Sequence, residues 1–306
     1  MTAAPQDTTL AANGRLMRRA TYASVTVAST LVVLKIYAWL VTDSVAMLST
    51  LVDSVLDVLA SLITMFAVRH ALTPADSEHR FGHGKAEPLA GVGQSAFIAG
   101  SATLVLFEAV RRLWRPNPVS EGEVGITVMV ISILLTMLLV LYQRRVVRVT
   151  GSIAIKGDSL HYVGDILTSV AVIAGLFASQ WLGWLLADPI LGAAIACYLL
   201  FSAWQVARAA LNMLMDHELP DTARRRIEEI ALAHPEVAAI HDLRTRASGP
   251  RRFIQFHLEM DGRLSLLRAH TIADDVEMKV MAEFPDSEII IHQDPAGLDE
   301  PHTEFS

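Results

Sequence analysis

The sequence predicts a membrane domain of six helices followed by a small α+β domain. Of its 306 residues, 52% are hydrophobic and only 19% are charged, and the mean hydropathy is positive at +0.40. Long apolar segments fill the first two thirds of the chain, whereas charged and apolar residues alternate in the last third. This balance is typical of a membrane protein that carries a soluble part.

Net charge argues against nucleic-acid binding, and the cysteine content excludes two kinds of cysteine chemistry. The formal net charge is -7, so the chain lacks the bulk positive charge that a nucleic-acid-binding protein uses. The single cysteine, Cys197, lies within an apolar segment. An intramolecular disulfide and a zinc site built from paired cysteines are therefore both excluded.

Six apolar segments are long enough to cross a bilayer. At a rise of ~1.5 Å per residue, ~20 helical residues span a hydrocarbon core of ~30 Å. The first segment follows a polar tail at residues 1–14 and is too long for the apolar core of a signal peptide. The predicted spans, within a membrane domain at 15–214, are residues 20–42, 45–68, 89–112, 124–143, 159–181 and 188–212.

Basic residues near the span ends predict the orientation, because cytoplasmic flanks of membrane helices are rich in Lys and Arg. With both termini in the cytoplasm, only Arg111, Arg112 and Arg115 lie outside. Tryptophans would mark the outer interface at positions 114, 181 and 184. The cytoplasmic flanks then hold Arg15, Arg18, Arg19, Arg69, Arg80, Lys85, Arg144, Arg145, Arg148 and Lys156.

Two pairs of ionisable residues, each spaced by four, lie inside the apolar segments. Residues four apart stack on one face of a helix. The second span carries Asp53 and Asp57, and the fifth carries His161 and Asp165. Since these two spans run in opposite directions, we expect Asp53 level with Asp165 and Asp57 level with His161, near mid-membrane. We call these four residues the helix site.

The composition of the helix site favours a metal ion. Each ionisable group in hydrocarbon costs at least ~2.5 kcal/mol, so four groups at one depth require a compensating cation or proton. Hydrogen bonding between helices is the alternative, but it leaves the excess negative charge in place. Three oxygen ligands and one nitrogen suit a tetrahedral divalent ion, Zn²⁺ first, with Fe²⁺, Mn²⁺ and Cd²⁺ also admitted. Lys35, near the outer end of the first span, is expected to snorkel to the interface.

The loop after the second span carries a weaker ligand pattern. Asp76, His79 and His83 are spaced by three and four, among Pro74 and two glycines that favour a folded loop. We call these three residues the loop site. A solvated loop with incidental histidines is the alternative.

The last third of the chain predicts a small domain with the order αββαβ. Residues 221–234 are amphipathic, 241–248 and 251–260 alternate like strands, 265–284 are helical, and EIIIHQ is a third strand. A unit of about eighty residues is small enough that pairing with a second copy would help it. A candidate set of metal ligands consists of Asp294 with four histidines, His241, His257, His270 and His292. Any one of these histidines could instead be an ordinary surface histidine.

These motifs together resemble one family. DSVLD, HYVGD, the loop PADSEHRFGHGKAE, and a tail with HDLRTR, SGPRRFIQFHLEM and IIIHQDP closely resemble the cation diffusion facilitators, within them the bacterial zinc and ferrous-iron efflux branch. The resemblance covers residues 15–296 and leaves the tail 297–306 unassigned. It implies a homodimeric antiporter of the inner membrane, which exports a divalent cation against inward protons by alternating access. It also implies ferredoxin-like cytoplasmic domains at 215–296, paired by structural zinc.

The resemblance also implies roles for particular residues. The helix site matches the transport site, and the loop site matches a second metal site. In the tail, His241, His257, His270, His292 and Asp294 match a binuclear zinc site in which Asp294 bridges. Lys85 and Asp216 match a pair that locks the dimer.

Proton coupling follows from the chemistry of the ligands. Imidazole and carboxylate ligands release a metal when they are protonated, and an imidazole titrates near pH ~6.5, so His161 is the predicted proton carrier. Two other functions remain open. An intramembrane metallohydrolase would typically carry an HExxH helix, which the sequence lacks. A metal-sensing membrane scaffold would not need the intact helix site.

Overall fold

A computed structural model describes residues 6–43, 45–114, 123–184 and 186–297. The described residues form two compact units, one within residues 13–211 and one of residues 212–297 with residues 6–12. Arg115 of the predicted outer cluster and residues 298–306 of the predicted tail lie outside the described residues.

Six long helices make up the larger unit, and each contains one of the predicted apolar segments. They are α1 Gln6–Thr42, α2 Val45–Ala71, α3 Ala86–Trp114, α4 Glu123–Thr150, α5 Ile153–Leu182 and α6 Ala187–Leu214. Helix α1 already begins at Gln6, so most of the predicted polar tail is helical. Adding residues to an existing helix gains one hydrogen bond each, which explains the early start.

Within the described residues, five of these helices contain a segment long and apolar enough to cross a membrane. The segments are Ala11–Thr42, Thr50–Ala71, Ala86–Trp114, Val124–Thr150 and Ala187–Leu214. Helix α5, at 30 residues, is not among the helices that meet this criterion over the described residues. The sixth span therefore stays a prediction.

Small residues allow the helices to pack closely around α5. A Cβ added at Gly91 of α3 would lie 2.7 Å from Ile153 of α5, and one added at Gly164 of α5 would lie 3.2 Å from Leu199 of α6. One cluster of buried residues holds the first five helices together. Its members are Met17, Ala20, Val68, Ala90, Val146, Ala154 and Ile155. Large apolar side chains also cover the outside of the helices, for example Val33, Phe66, Leu104, Leu138 and Phe201. Such an exterior is typical of a lipid-facing surface.

The smaller unit has the predicted order αββαβ. Its elements are α7 Asp221–Leu232, β1 Ala239–Ser248, β2 Arg251–Met260, α8 Leu266–Glu283 and β3 Ser287–Pro295. The sheet order is β1-β2-β3, with β2 antiparallel to β1 and parallel to β3. Helices α7 and α8 cover one face of the sheet, and the core there includes Ile227, Phe256, Leu258, Ile272 and Val276.

Candidate metal centres

The helix site brings α2 and α5 into direct contact. His161 Nε2 lies 2.9 Å from Asp57 Oδ1 and 3.8 Å from Asp165 Oδ2. One ligand atom from each of the three residues lies within 4.8 Å of the others. The side chains of His161 and Asp57 are only 9% and 13% exposed, whereas that of Asp165 is 43% exposed, so the imidazole and one carboxylate are buried and the second carboxylate is open to the cavity.

Asp53 stands beside that group rather than within it. It precedes Asp57 by one helical turn on α2 and is exposed. All four residues of the helix site nevertheless line one cavity of about 820 Å³. Three of the predicted ligands thus lie close enough together to contact one ion, and the fourth lies on the wall of the same cavity.

The expectation for Lys35 is wrong. Its ammonium turns inward, where Nζ donates to Ser54 Oγ at 2.6 Å and to the carbonyl oxygen of Thr50 at 3.1 Å. The side chain lines the cavity of the helix site. If Lys35 snorkelled, the three carboxylates would have no fixed counter-charge. Attraction between the ammonium and these carboxylates is the physical reason for the inward position.

Asp158 is a buried carboxylate that the sequence reasoning missed. Its Oδ2 accepts hydrogen bonds from Ser24 Oγ at 2.7 Å and from Gln143 Nε2 at 2.6 Å. Ser61 Oγ lies 2.7 Å from the hydroxyl of Tyr162 and 2.9 Å from Ser24 Oγ. These hydrogen bonds, which we call the Asp158 network, connect α1, α2, α4 and α5 near the helix site. The available signal was the position of Asp158, one helical turn before His161.

The structure brings the three side chains of the loop site, Asp76, His79 and His83, close together. Asp76 Oδ1 lies 3.4 Å from His79 Nδ1, and Asp76 Oδ2 lies 3.4 Å from His83 Nε2. The backbone N–H groups of His79 and Glu78 donate to Asp76 Oδ1 at 2.7 and 2.9 Å. The hydrogen bond from His79 is the main reason that the pKa of the Asp76 carboxyl lies below its ordinary value. An ionised carboxylate is the form that a metal requires.

A third group of ligands lies on the sheet, where strand register aligns it. His257 of β2 pairs with His241 of β1 and with His292 of β3, so three histidines stand side by side across the strands. Side chains alternate along a strand, and Phe256 and Leu258 point into the core. The histidines therefore occupy the opposite face of the sheet from the helices.

Asp294 stands two residues after His292 and joins the three histidines. Its Oδ2 lies 2.7 Å from His257 Nδ1 and 3.3 Å from His241 Nε2, whereas its Oδ1 lies 3.1 Å from His292 Nε2. We call His241, His257, His292 and Asp294 the sheet site. Glu259, which the sequence reasoning did not select, also approaches His241 Nδ1 at 3.0 Å. Its position in β2, two residues after His257 and on the same face, was the signal.

Two further predicted site residues have contacts outside the three ligand groups. His270 lies on α8, and its Nε2 is 3.5 Å from Asp274 Oδ2. It does not join the ligand group that the structure assembles from the described residues at His241, His257 and Asp294. Asp216 forms an ion pair with Arg246 at 3.4 Å within its own unit. Its predicted pairing with Lys85 stays a prediction.

The helices and the three ligand groups define a membrane protein that handles cations. A family model of the cation efflux transmembrane domain matches residues 21–215, and one of the cytoplasmic domain of cation efflux proteins matches residues 219–296. The chain belongs to the cation efflux family, which confirms the resemblance to the cation diffusion facilitators. It is a transporter rather than an enzyme.

Two curated relatives are similar over nearly their whole length. The cation-efflux pumps FieF of Salmonella choleraesuis and Salmonella typhimurium are each 46% identical over 285 residues, which is 93% of this chain and 95% of the relative. Among solved structures, the metal-bound C-terminal domain of the CzcD transporter from Thermotoga maritima is 28% identical. It covers 26% of this chain and 93% of its own, with a TM-score of 0.25.

Proposed function

We propose that the protein is an antiporter that exports a divalent metal cation from the cytoplasm in exchange for protons. It works by alternating access, as a homodimer. The observation that carries this proposal is the contact between Asp57 of α2 and His161 of α5, inside a cavity that all four residues of the helix site line. The relatives named cation-efflux pumps support the direction of transport.

The donor atoms favour Zn²⁺ as the cargo. Two carboxylates and an imidazole already converge, and Asp53 on the cavity wall supplies a third carboxylate. Three oxygen ligands and one nitrogen make a tetrahedral set for Zn²⁺. Fe²⁺, Cd²⁺ and Mn²⁺ accept the same ligands, so selectivity among them depends on geometry and availability.

Protons and metal compete for the same ligands in this mechanism. Imidazole and carboxylate groups must be deprotonated to bind a metal, so protonation releases it. His161 is the proposed proton carrier, because an imidazole changes charge near neutral pH. Neutralisation by either metal or protons lowers the cost of buried charge while the helices move.

The smaller unit is the proposed site of structural zinc and of dimer pairing. The two oxygens of Asp294 face different histidines, which suits a carboxylate that bridges two ions. His270 would complete the binuclear set, and Lys85 with Asp216 would lock the dimer. The loop site of Asp76, His79 and His83 is the third proposed metal position.

The proposed membrane arrangement has six spans, including α5, with both termini in the cytoplasm of a bacterium and the helices in its inner membrane. Burial of the helix site within the bilayer requires α5 to span. Its 30 residues correspond to ~45 Å of helix, enough to cross a hydrocarbon core of ~30 Å.

Transport into proteoliposomes under an imposed pH gradient tests the proposal. We expect Zn²⁺ uptake together with opposite proton movement, both absent from empty liposomes. Asp43→Asn, which alters a carboxylate outside all three metal centres, is the matched control and should transport normally. A metal-sensing scaffold would bind Zn²⁺ without moving it, and zinc flux with no proton flux would contradict antiport.

A further inference from the structure

The cavity of the helix site contains a fixed positive charge. Among the described residues that line it, Lys35 is the one lysine or arginine, and Asp53, Asp57 and Asp165 are the carboxylates. The ammonium of Lys35 interacts electrostatically with all three of these carboxylates. The charge of this lysine therefore acts on the proposed metal ligands and on any cation that they bind.

Hydrogen bonds hold this ammonium near the ligands but off them. Lys35 Nζ donates to Ser54 Oγ at 2.6 Å and to the carbonyl oxygen of Thr50 at 3.1 Å. Ser54 is buried and lies on α2 between Asp53 and Asp57. The ammonium is thus anchored to neutral groups of the helix that carries two of the ligands, and the carboxylates stay available for a cation.

The net charge of the cavity shows the effect of placing Lys35 there. Three ionised carboxylates contribute three negative charges, and Lys35 reduces the net charge of the cavity to minus two when His161 is neutral. A divalent ion then leaves no net charge, whereas without Lys35 the loaded cavity would keep one uncompensated negative charge. A buried uncompensated charge is costly, so this difference acts on both binding and release.

We propose that Lys35 is a fixed counter-charge that matches the helix site to divalent cations and weakens their binding enough to permit release. This inference rests on the proposed transport function. Lys35 is a positioning residue in this role, because it acts on the ion through the field of the cavity and not as a ligand. A residue that only joined α1 to α2 would have no effect on the charge preference of the site.

Metal affinity and transport rate, measured in the same variants, test the proposal. Zn²⁺ binding to the full-length protein is titrated calorimetrically after the loop and sheet sites have been disabled by His79→Ala, His83→Ala, His241→Ala and His257→Ala. Lys35→Met removes the charge and Lys35→Gln is a second neutral variant. Lys35→Arg keeps the charge, and Ser54→Ala removes the hydrogen-bond partner while it keeps the ammonium.

We expect both neutral variants to bind Zn²⁺ more tightly and to transport it more slowly. By the Coulomb relation, removal of a unit charge from within ~8 Å of a divalent ion raises affinity by about sixfold at the dielectric constant of water, ~80, and by about a thousandfold at an effective value of ~20, so we expect a gain of about tenfold or more. KM and the maximal rate of uptake should both fall in proteoliposomes, whereas Lys35→Arg and Ser54→Ala should stay within about threefold of the wild type in affinity.

Unchanged or weaker Zn²⁺ affinity in both neutral variants would overturn the role of Lys35, and so would equal effects of Lys35→Arg and Lys35→Met. These results are distinguishable from failure of the proposed function. A wild-type protein that neither binds Zn²⁺ at the helix site nor transports it would remove the proposed function itself. Wild-type transport with unaltered affinity in Lys35→Met would remove only the counter-charge.

Discussion

The helix site and the sheet site use the same ligand chemistry on very different supports. In the helix site, Asp57 and His161 come from two helices that meet only through side-chain packing and share a cavity. In the sheet site, His241, His257 and His292 are adjacent because backbone hydrogen bonds between paired strands set their register. Ligands on separate helices can move apart, whereas ligands in one register cannot do so without breaking the sheet.

The difference in support predicts a difference in task. A site that must load and release a metal needs ligands whose spacing can change and a cavity that connects to solvent, whereas a structural site is closed. The helix site has one of its four predicted ligands, Asp53, outside the converged group. In the sheet site both oxygens of Asp294 are already engaged with histidines. This contrast supports the proposed transport by the first and the proposed structural zinc in the second.

Loss of a ligand from the helix site should have the largest effect on function. Outer-shell substitutions alone weaken metal sites by roughly 10- to 100-fold, so we expect Asp57→Ala to lower zinc flux by about a hundredfold or more. Folding and dimerisation should persist because the substitution also removes a buried charge. Flux is measured in proteoliposomes and folding by gel filtration. Wild-type rates in this variant would refute the assignment of the helix site.

A change of ligand type in the helix site should shift its response to pH. His161→Asp keeps a competent zinc ligand, but a carboxyl group titrates near ~3.9 in water, against ~6.5 for an imidazole. Proton competition should therefore move to more acidic pH, and exchange near neutral pH should slow. Zn²⁺ affinity is measured against pH with the loop and sheet sites disabled. Superimposable curves for variant and wild type would leave the three carboxylates as the proton carriers.

The sheet site should respond to metal by pairing and not by transport. We expect residues 215–306, expressed alone, to dimerise at least about tenfold more tightly with Zn²⁺, because ligand binding to the paired state stabilises it by mass action. Sedimentation measures the dissociation constant. His257→Ala should abolish the dependence on metal, and His234→Ala, which alters a histidine outside the sheet site, is the control. Identical sedimentation with and without Zn²⁺ would exclude a metal-paired interface.

The Asp158 network, described above with the helix site, should contribute to the stability of the helices. Asp158→Ala leaves the buried donors of Ser24 and Gln143 without their acceptor, and each such loss costs ~1–3 kcal/mol. We expect a lower melting temperature in detergent, measured by scanning fluorimetry. Asp221→Asn, in a side chain that is 82% exposed, should change it little. A melting temperature unaffected by Asp158→Ala would show that these helices are held by apolar packing alone.

The smallest expected effect concerns the turn that follows β2, the strand carrying His257. Hydrogen bonds from the Arg263 side chain lower the pKa of Asp261 from 3.8 to about 2. Stability from this pair is therefore present above pH 3.8 and lost as the pH falls through about 2. In Arg263→Ala the pKa should return toward 3.8, as an NMR titration would show, with little effect on zinc binding. A large loss of zinc affinity would show that this turn supports the sheet site.

Much of this protein is determined by local sequence patterns. Spacings of four place Asp53 with Asp57, and His161 with Asp165, on single helix faces whatever the rest of the chain does. Alternation along β2 likewise separates Phe256 from His257. The six long helices and the order αββαβ follow from such short-range rules, because helical and strand periods act over a few residues.

Only the tertiary structure decided which side chains meet across elements. Lys35 could equally have reached the interface, and its inward position depends on Ser54 and Thr50 of another helix. Asp158 finds its partners on three other helices, and His270 lies beside Asp274 on its own helix. Such contacts depend on how helices rotate and pack against one another. The balance between desolvation and attraction that selects them exists only once the elements are assembled.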